Sequence, residues 1–388
     1  MSLKYSNIKV WGRSFAEYVK MFELTANDLR KKIIVCADGP SSFNAAMWKK
    51  GKKIISIDPI YSLKKDELSQ RIIESADDII IQINSNKDSF TWDSIKSINE
   101  LMQKRLSAMN IFLDDYESGL SEKRYLAQSL PKLNFNNKTF DLALCSHFLF
   151  LYSSLLSFDF HVQSIKELLR ISDEIRIFPI IDFNGKVSSH LDNIIHELIK
   201  TGYKPEIWTV DYEFQKGANT MLFIKKGNYK KFKKEDLIIE RANKNDSKEI
   251  LKIQKLAFLD EINLHNGLLI QPFKQTKKEI EQEFEEKVFF KACLDKIIIG
   301  SVRVKIEGDT CWVNKLVVHP QFQNHGIAKQ LMENVEKFFS PEISKIKLAT
   351  AKKSDKNVSF YKKIGFTPFR TGYLPYENVE MIFFEKTL

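Results

Sequence analysis

The sequence predicts an α/β protein of two domains, a doubly wound, mostly parallel sheet followed by a smaller mixed α/β domain. Three observations carry this. A chain of 388 residues with 43% hydrophobic content is longer than one core usually serves and has the apolar material for two. From Lys32 to Ile224 short apolar runs alternate with stretches of helical spacing, the pattern of strands joined by covering helices. Late in the chain another apolar strand, ending at Val318, passes through a short turn into a helix. The expected divisions are a first domain over 1–226, a basic linker over 227–236 and a second domain over 237–388.

Residues 11–30 form a helical pattern, with Phe15, Tyr18, Val19, Phe22 and Leu29 apolar and Lys20, Glu23 and Asp28 between them. Residues 32–36 read as a buried strand that breaks at Gly39-Pro40 and re-enters as a helix through Trp48. A second strand, 53–57, ends on Asp58-Pro59. A strand, small-residue turn, helix, strand and terminal acid make the opening of a dinucleotide-type fold, where the turn meets an anionic group and the acid accepts from ribose hydroxyls.

This opening resembles the first half of the class I S-adenosylmethionine methyltransferases, a Rossmann-like family. The resemblance implies Ala37, Asp38, Gly39 and Ser41 around the methionine part of S-adenosylmethionine, and Asp58 on its ribose. The glycine loop is degenerate. Where the family reads D-x-G-x-G-x-G, Val35 stands at the acid, Ala37 at the first glycine and Ser41 at the third; Gly39 alone is kept. Asp38 is open to two roles, meeting the cofactor's amino group or capping the next helix.

Residues 63–133 are charged and helical, with Ile95, Ile98, Leu101, Met102 and Leu106 as the periodic apolar positions. Residues 140–147 form another buried strand, whose end belongs to the ligand side because open α/β sheets bind at the carboxyl ends of their strands. Methyltransferases of exocyclic amines carry an Asp/Asn-Pro-Pro-aromatic tetrad there. Cys145-Ser146-His147-Phe148 takes its place, which argues against methylation of nucleic-acid amines. His147 is either a base near the transferred group or a structural histidine. Helices over 162–171 and 191–200, a strand over 174–181 and a strand pair at 206–210 and 220–224 finish the domain, the last strand running antiparallel as the resemblance implies.

The second domain opens with a strand over 237–241 and a helix over 247–259 announced by Asp246-Ser247. A loop over 260–273, a charged helix over 275–286 and strands over 288–294, 297–306 and 311–318 follow, the last two joined at Gly308-Asp309. Then comes the turn that organises the domain, Leu316-Val317-Val318-His319-Pro320-Gln321-Phe322-Gln323-Asn324-His325-Gly326-Ile327-Ala328-Lys329. Beyond it Ile327, Leu331, Val335 and Phe338/Phe339 share one helical face, Lys329, Gln330, Glu333, Asn334 and Lys337 the other, and Pro341 helps to end the helix. A helix start leaves its first amides unpaired and positive, so the backbone of 325–328 can donate to phosphate oxygens. Gly326 and Ala328 keep side-chain bulk away from that backbone.

Gln323-Asn324-His325-Gly326-Ile327-Ala328 resembles the acyl-CoA signature of the GNAT N-acyltransferase superfamily, a Gln or Arg followed by x-x-Gly-x-Gly/Ala. Asn357-Val358-Ser359-Phe360-Tyr361-Lys362-Lys363-Ile364-Gly365-Phe366 resembles the closing helix and turn of the same superfamily. The resemblance implies acetyl-CoA as cofactor, its pantetheine paired with the backbone of Leu316, Val317 and Val318 and its diphosphate held by Gln323, Asn324, His325, Gly326, Ile327, Ala328 and Lys329. It also implies the element order β-α-α-β-β-β-α-β-α-β, closed by strands over 346–351 and 379–384. Asn357 would reach the pantetheine arm or cap its own helix. Tyr361 would give its proton to the departing thiolate, or stand as a packed aromatic. The strand position where many members carry a carboxylate base is Asn314, which cannot take a proton. Glu261, His265, His319 and Glu377 remain candidates, with a water chain as the base-free route. The region 260–273 borders the acceptor in this superfamily, and Tyr373 and Tyr376 line an acceptor pocket or pack at its rim.

The function expected is acetyl transfer from acetyl-CoA to a primary amine on a small molecule or peptide. One alternative is an S-adenosylmethionine-dependent methyltransferase with an accessory acyltransferase; the other is a non-catalytic binding scaffold. The formal charge of +10 is spread out, with 31 basic against 28 acidic residues through Asn228 and 29 against 22 beyond it. A diffuse lysine surplus suits solubility and argues against nucleic acid as a partner. Cys36, Cys145, Cys293 and Cys311 make no C-x-x-C pair or zinc-type cluster and read as reduced thiols of a cytoplasmic protein. No secretory signal opens the chain, the apolar run from Phe148 to Phe158 is too short to cross a bilayer, and no metal site is expected.

Overall fold

The computed structural model describes residues 10–227, 232–373 and 379–388 and divides into two units, Met1–Gly227 and Asn228–Leu388. In the first unit the chain order is α1 (Phe15–Met21), β1 (Ile33–Cys36), α2 (Phe43–Lys49), β2 (Ile55–Ile57), α3 (Lys65–Ser85), α4 (Ile98–Ser121), β3 (Tyr125–Leu126), β4 (Phe140–Ser146), α5 (Phe158–Ile171), β5 (Ser172–Phe178), α6 (Leu191–Lys200), β6 (Tyr203–Thr209) and β7 (Thr220–Lys226). The sheet order is β3-β2-β1-β4-β5-β7-β6. Strands β3, β2, β1, β4 and β5 are parallel, and β7 is antiparallel to both β5 and β6. The chain leaves β1 towards one edge and returns to β4 on its other side, so a crevice opens at the carboxyl end of β1. All four residues of β1 are buried, as a central parallel strand covered on both faces requires.

The expected helix over 11–30 is cut short. Ser14 and Glu17 form a capping box that starts α1, but Glu23 turns to φ 49°. Asp28 then accepts from the Thr25 amide at 2.9 Å, closing a separate turn. The stretch 63–133 holds two long helices, yet the stripe that α4 buries is Leu101, Arg105, Met109, Phe112 and Tyr116, with Leu106 exposed. A charged residue can take a core position here because Glu17 on α1 pairs with Arg105.

The second unit runs β8 (Leu237–Arg241), α7 (Ser247–Ala257), α8 (Leu259–Leu264), α9 (Gln271–Lys274), α10 (Lys277–Glu283), β9 (Val288–Leu294), β10 (Ile297–Glu307), β11 (Thr310–Val318), α11 (Ile327–Phe339), β12 (Lys345–Ala351), α12 (Asp355–Lys363), β13 (Thr367–Tyr373) and β14 (Glu380–Thr387). Its sheet order is β13-β14-β12-β11-β10-β9-β8. Every pairing is antiparallel except β11 with β12. Helix α11 buries Ile327, Leu331, Met332, Val335 and Phe339, whereas Phe338 is half exposed against Phe290.

Two expectations need correction. The loop over 260–273 contains α8 and α9, because Leu259, Ile262 and Phe273 bury apolar side chains that short helical turns can aim inward. The closing order gains β13, which among the described residues pairs only with β14 and is exposed along almost its whole length. An edge position is where Pro368 can be tolerated in a ladder. No helix among the described residues is long and apolar enough to cross a membrane.

Candidate functional site

In the second unit β11 and β12 pair only from Thr310–Val313 to Lys345–Leu348, although both strands continue. Beyond that point they part, and the gap becomes a cavity of about 840 Å³. The departure begins at a β-bulge: Lys315 and Leu316 together face Val302, and Lys315 sits at φ 44°. Below the bulge lies a buried polar network. Arg303 donates to Gln254 and Glu283, and Lys315 Nζ donates to Gln275 Oε1 at 3.0 Å. Against the upward push of burial, the charges of Arg303 and Lys315 hold the Glu283 carboxyl down to about 2. Burial and the Arg303 charge bring the Lys315 ammonium down to about 8.

The turn after β11 delivers α11 with Gly326 as its cap residue, at φ 79° and with no side-chain cap. A Cβ added at Gly326 would meet nothing within 4 Å. Leu316, Val317, Val318, Gln323, Asn324, Gly326, Ile327, Ala328 and Lys329 all line the cavity. Gln323 ties the turn together, donating to the Val318 carbonyl at 3.1 Å and accepting from Lys356 Nζ at 2.7 Å. The His325 side chain is the exception among the expected contacts. Its ring packs on Phe232 and its Nδ1 faces the Gln323 carbonyl, so only its backbone belongs to the turn.

Helix α12 brings Tyr361 and Asn357 to the same cavity, and α8 brings Glu261. Asn357 does not cap its helix; its Nδ2 donates to Glu261 Oε1 at 2.8 Å. Burial raises the Glu261 pKa. Burial and then the Glu261 charge push the Tyr361 phenol well above its ordinary value. His265 also lines the cavity, with Nε2 buried and unpartnered, and burial lowers its pKa. His319 is placed elsewhere: its Nδ1 accepts from the Gln321 amide at 3.2 Å and its ring lies against Phe322. Asn314 lines the cavity with its amide near the Trp312 carbonyl. Tyr373 is exposed on β13, and Tyr376 and Glu377 lie outside the described residues. Sequence reasoning did not single out Glu283, Lys287 and Lys315, which also line the cavity.

The first unit has its own cavity, about 140 Å³, at the carboxyl ends of β1, β2 and β4. Ala37, Asp38, Gly39 and Asp58 line it. Ser41 does not: it is fully buried, its Oγ accepting from the Phe43 amide at 3.0 Å. Asp38 caps no helix, because its two oxygens accept from the Tyr18 and Ser56 hydroxyls, each at 2.5 Å. Asp58 accepts from the Gly39 and Ile60 amides at 3.1 and 3.0 Å. Burial lifts both carboxyls to about 6. Ala37, Gly39 and His147 all adopt positive φ, which turns the ends of β1 and β4 around the opening. Burial and the nearby Arg13 and Arg105 charges keep His147 neutral. Arg13, Tyr18 and Tyr212 join this lining unannounced by any sequence motif.

Residues 265–373 match the family model described as an acetyltransferase (GNAT) domain. The second unit therefore carries a GNAT acetyltransferase domain. The chain also belongs to the family of "Uncharacterized protein MJ0045" of Methanocaldococcus jannaschii, with which it is 40% identical over 228 residues, 58% of this chain and all of that one. It is similar as well to "Uncharacterized N-acetyltransferase ycf52" of Gracilaria tenuistipitata var. liui, 30% identical over 123 residues that cover 29% of this chain and 65% of the relative. Among solved structures, the PaiA N-acetyltransferase of Thermoplasma acidophilum in complex with coenzyme A matches with 19% identity and a TM-score of 0.34, covering 39% of this chain and 99% of that one.

Proposed function

We propose that the second unit transfers an acetyl group from acetyl-CoA to a primary amine. The observation that carries this reading is the parting of β11 from β12 directly ahead of an uncapped helix N-terminus. An unpaired strand edge suits the amides of a pantetheine arm, and the bare amides opening α11 suit a diphosphate. The open space around Gly326 fits that group.

When bound, acetyl-CoA supplies the thioester carbonyl that the amine attacks. Glu261, a buried carboxylate, accepts the amine's proton, and Asn357 holds it in place through the 2.8 Å hydrogen bond. Tyr361, kept protonated by burial, holds a proton for the departing sulfur. The test is thiol release from acetyl-CoA by the full chain across a panel of primary amines, with calorimetry of coenzyme A alongside. Absence of both turnover and binding refutes the proposal.

A second reading concerns the first unit, in which S-adenosylmethionine is the expected ligand. An acid at the end of β2, a crevice where the strand order reverses and an antiparallel β7 favour it. Calorimetry of S-adenosylhomocysteine with wild type and Asp58→Ala tests it, and a blank titration with wild type removes it. The four buried, unpaired cysteines suit a reducing, cytoplasmic setting.

A further inference from the structure

The cavity of the first unit contains a cation that neither reading uses. Arg13 lines it and donates from Nη1 to the Trp11 carbonyl at 2.9 Å, while its Nε is enclosed without a hydrogen-bond partner. Glu17, the acid that faces it, is already committed. Its Oε1 accepts from Arg105 and from the Tyr212 hydroxyl, and its Oε2 accepts from the amide and hydroxyl of Ser14. Two guanidiniums thus face one carboxylate, and among the described residues none forms an ion pair with Arg13. An enclosed charge is costly unless something counters it.

Arg13 is held there by the fold. The Ser42 amide donates to the Arg13 carbonyl at 3.0 Å. A Cβ on Gly12 would lie 2.1 Å from the Pro40 carbonyl oxygen, so only glycine lets this segment lie against the turn after β1. The lining that Arg13 shares carries the flat side chains of Trp11, Phe148, Tyr152, Phe183 and Phe214 beside the polar Asp38, Asp58 and Gln215. Pairing Arg105 with Glu17 leaves Arg13 without an ion pair, and Asp38 and Asp58 in the same lining already accept from hydroxyls and amides of the fold, so the guanidinium suits a ligand that brings one negative charge. A phosphate dianion would exceed it and bring more acceptor oxygens than the enclosed donors can serve.

We propose that this cavity binds a small aromatic carboxylate, with Arg13 as its counter-ion and the aromatic side chains around its ring. The ligand is distinct from the S-adenosylmethionine expected at the Asp58 end, and the proposal stands whether or not that cofactor binds.

The probes are benzoate and its neutral isostere benzamide, titrated into the full chain by calorimetry and by Trp fluorescence, since Trp11 lines the cavity. Benzoate is expected to bind about tenfold or more tightly than benzamide, the preference falling away in Arg13→Gln and persisting in part in Arg13→Lys. No benzoate binding, equal affinity for both probes in wild type, or an unchanged preference in a folded Arg13→Gln protein overturns the proposal. S-adenosylhomocysteine separates the two ligands: if it displaces benzoate competitively, Arg13 serves the amino-acid carboxylate of the cofactor and the proposal fails. Benzoate binding without any S-adenosylhomocysteine binding upholds it while removing the cofactor reading.

Discussion

Replacing Gly326 by alanine and by glutamate sets protein stability against cofactor affinity. Gly326 sits at φ 79°, so any side chain there pays about 1–2 kcal/mol of backbone strain. No steric cost adds to it, because a Cβ would meet nothing within 4 Å. A glutamate at a helix N-terminus recovers about 0.3–1 kcal/mol through the helix dipole. Both variants should therefore melt lower than wild type, by about 2–8 °C for a unit of this size, and Gly326→Glu no lower than Gly326→Ala. Affinity should run the other way. A carboxylate about 5 Å from a diphosphate charge costs roughly 3 kcal/mol at an effective dielectric of 20, so coenzyme A binding should weaken more than a hundredfold. Scanning calorimetry gives the first order and isothermal titration the second. If Gly326→Glu binds coenzyme A as tightly as Gly326→Ala, the diphosphate does not lie at this helix start.

Tyr361→Phe should lower kcat by about a hundredfold or more with little change in KM if, as proposed, the phenol acts at thiolate departure, since its ring is packed by Phe360 and Phe366; steady-state kinetics decide it. Gly12→Ala should destabilise the first unit by about 1–3 kcal/mol, since the new methyl would lie 2.1 Å from the Pro40 oxygen and 2.8 Å from Met109 Cγ; denaturant midpoints measure it. In the first unit Asp38 and Asp58 should withdraw stability as pH rises from about 4 to about 6, offset in part by His147, whose lowered pKa acts in the opposite sense below 6.5. Asp38 and Asp58 have folded pKa values raised from 3.8 to about 6, so their contribution is complete below 3.8 and lost as pH climbs through 6. Glu17, lowered from 4.5 to about 2, acts in the opposite sense and overlaps only the foot of that window. Trp fluorescence reports mainly on this unit, which holds Trp11, Trp48, Trp92 and Trp208, and the stability of Asp58→Asn should fall less with rising pH than that of wild type.

What was legible in the sequence was local. The strands over 237–241 and 288–294 and the helix over 191–200 agree with the structure to the residue, because continuous apolar runs or a clear amphipathic period bounded them. The turn ahead of α11 was readable for the same reason: strand, turn and helix start lie within one short stretch. Strand β13 was not, since Pro368, Arg370 and Gly372 on an exposed edge carry no apolar alternation. Helices α8 and α9 were hidden among Asn263, His265, Asn266 and Gly267, whose composition suggests a loop while three buried side chains set the conformation. Glu261 could be nominated but not chosen, because its nearness to Tyr361 and Asn357 depends on packing between α8 and α12. Arg13 left no trace at all: one arginine in a helical pattern becomes notable only when its would-be partner proves to be engaged elsewhere.

The divergence of β11 from β12 has a further consequence for the exchange of backbone protons with solvent. From Asn314 to Val318 one side of β11 still faces β10, while the other has lost its ladder. Amides along this short run should therefore differ in deuterium uptake by direction, and a molecule seated in the gap would slow the outward-facing ones alone. The strand thus records occupancy in its own isotope pattern, without any label attached to the protein.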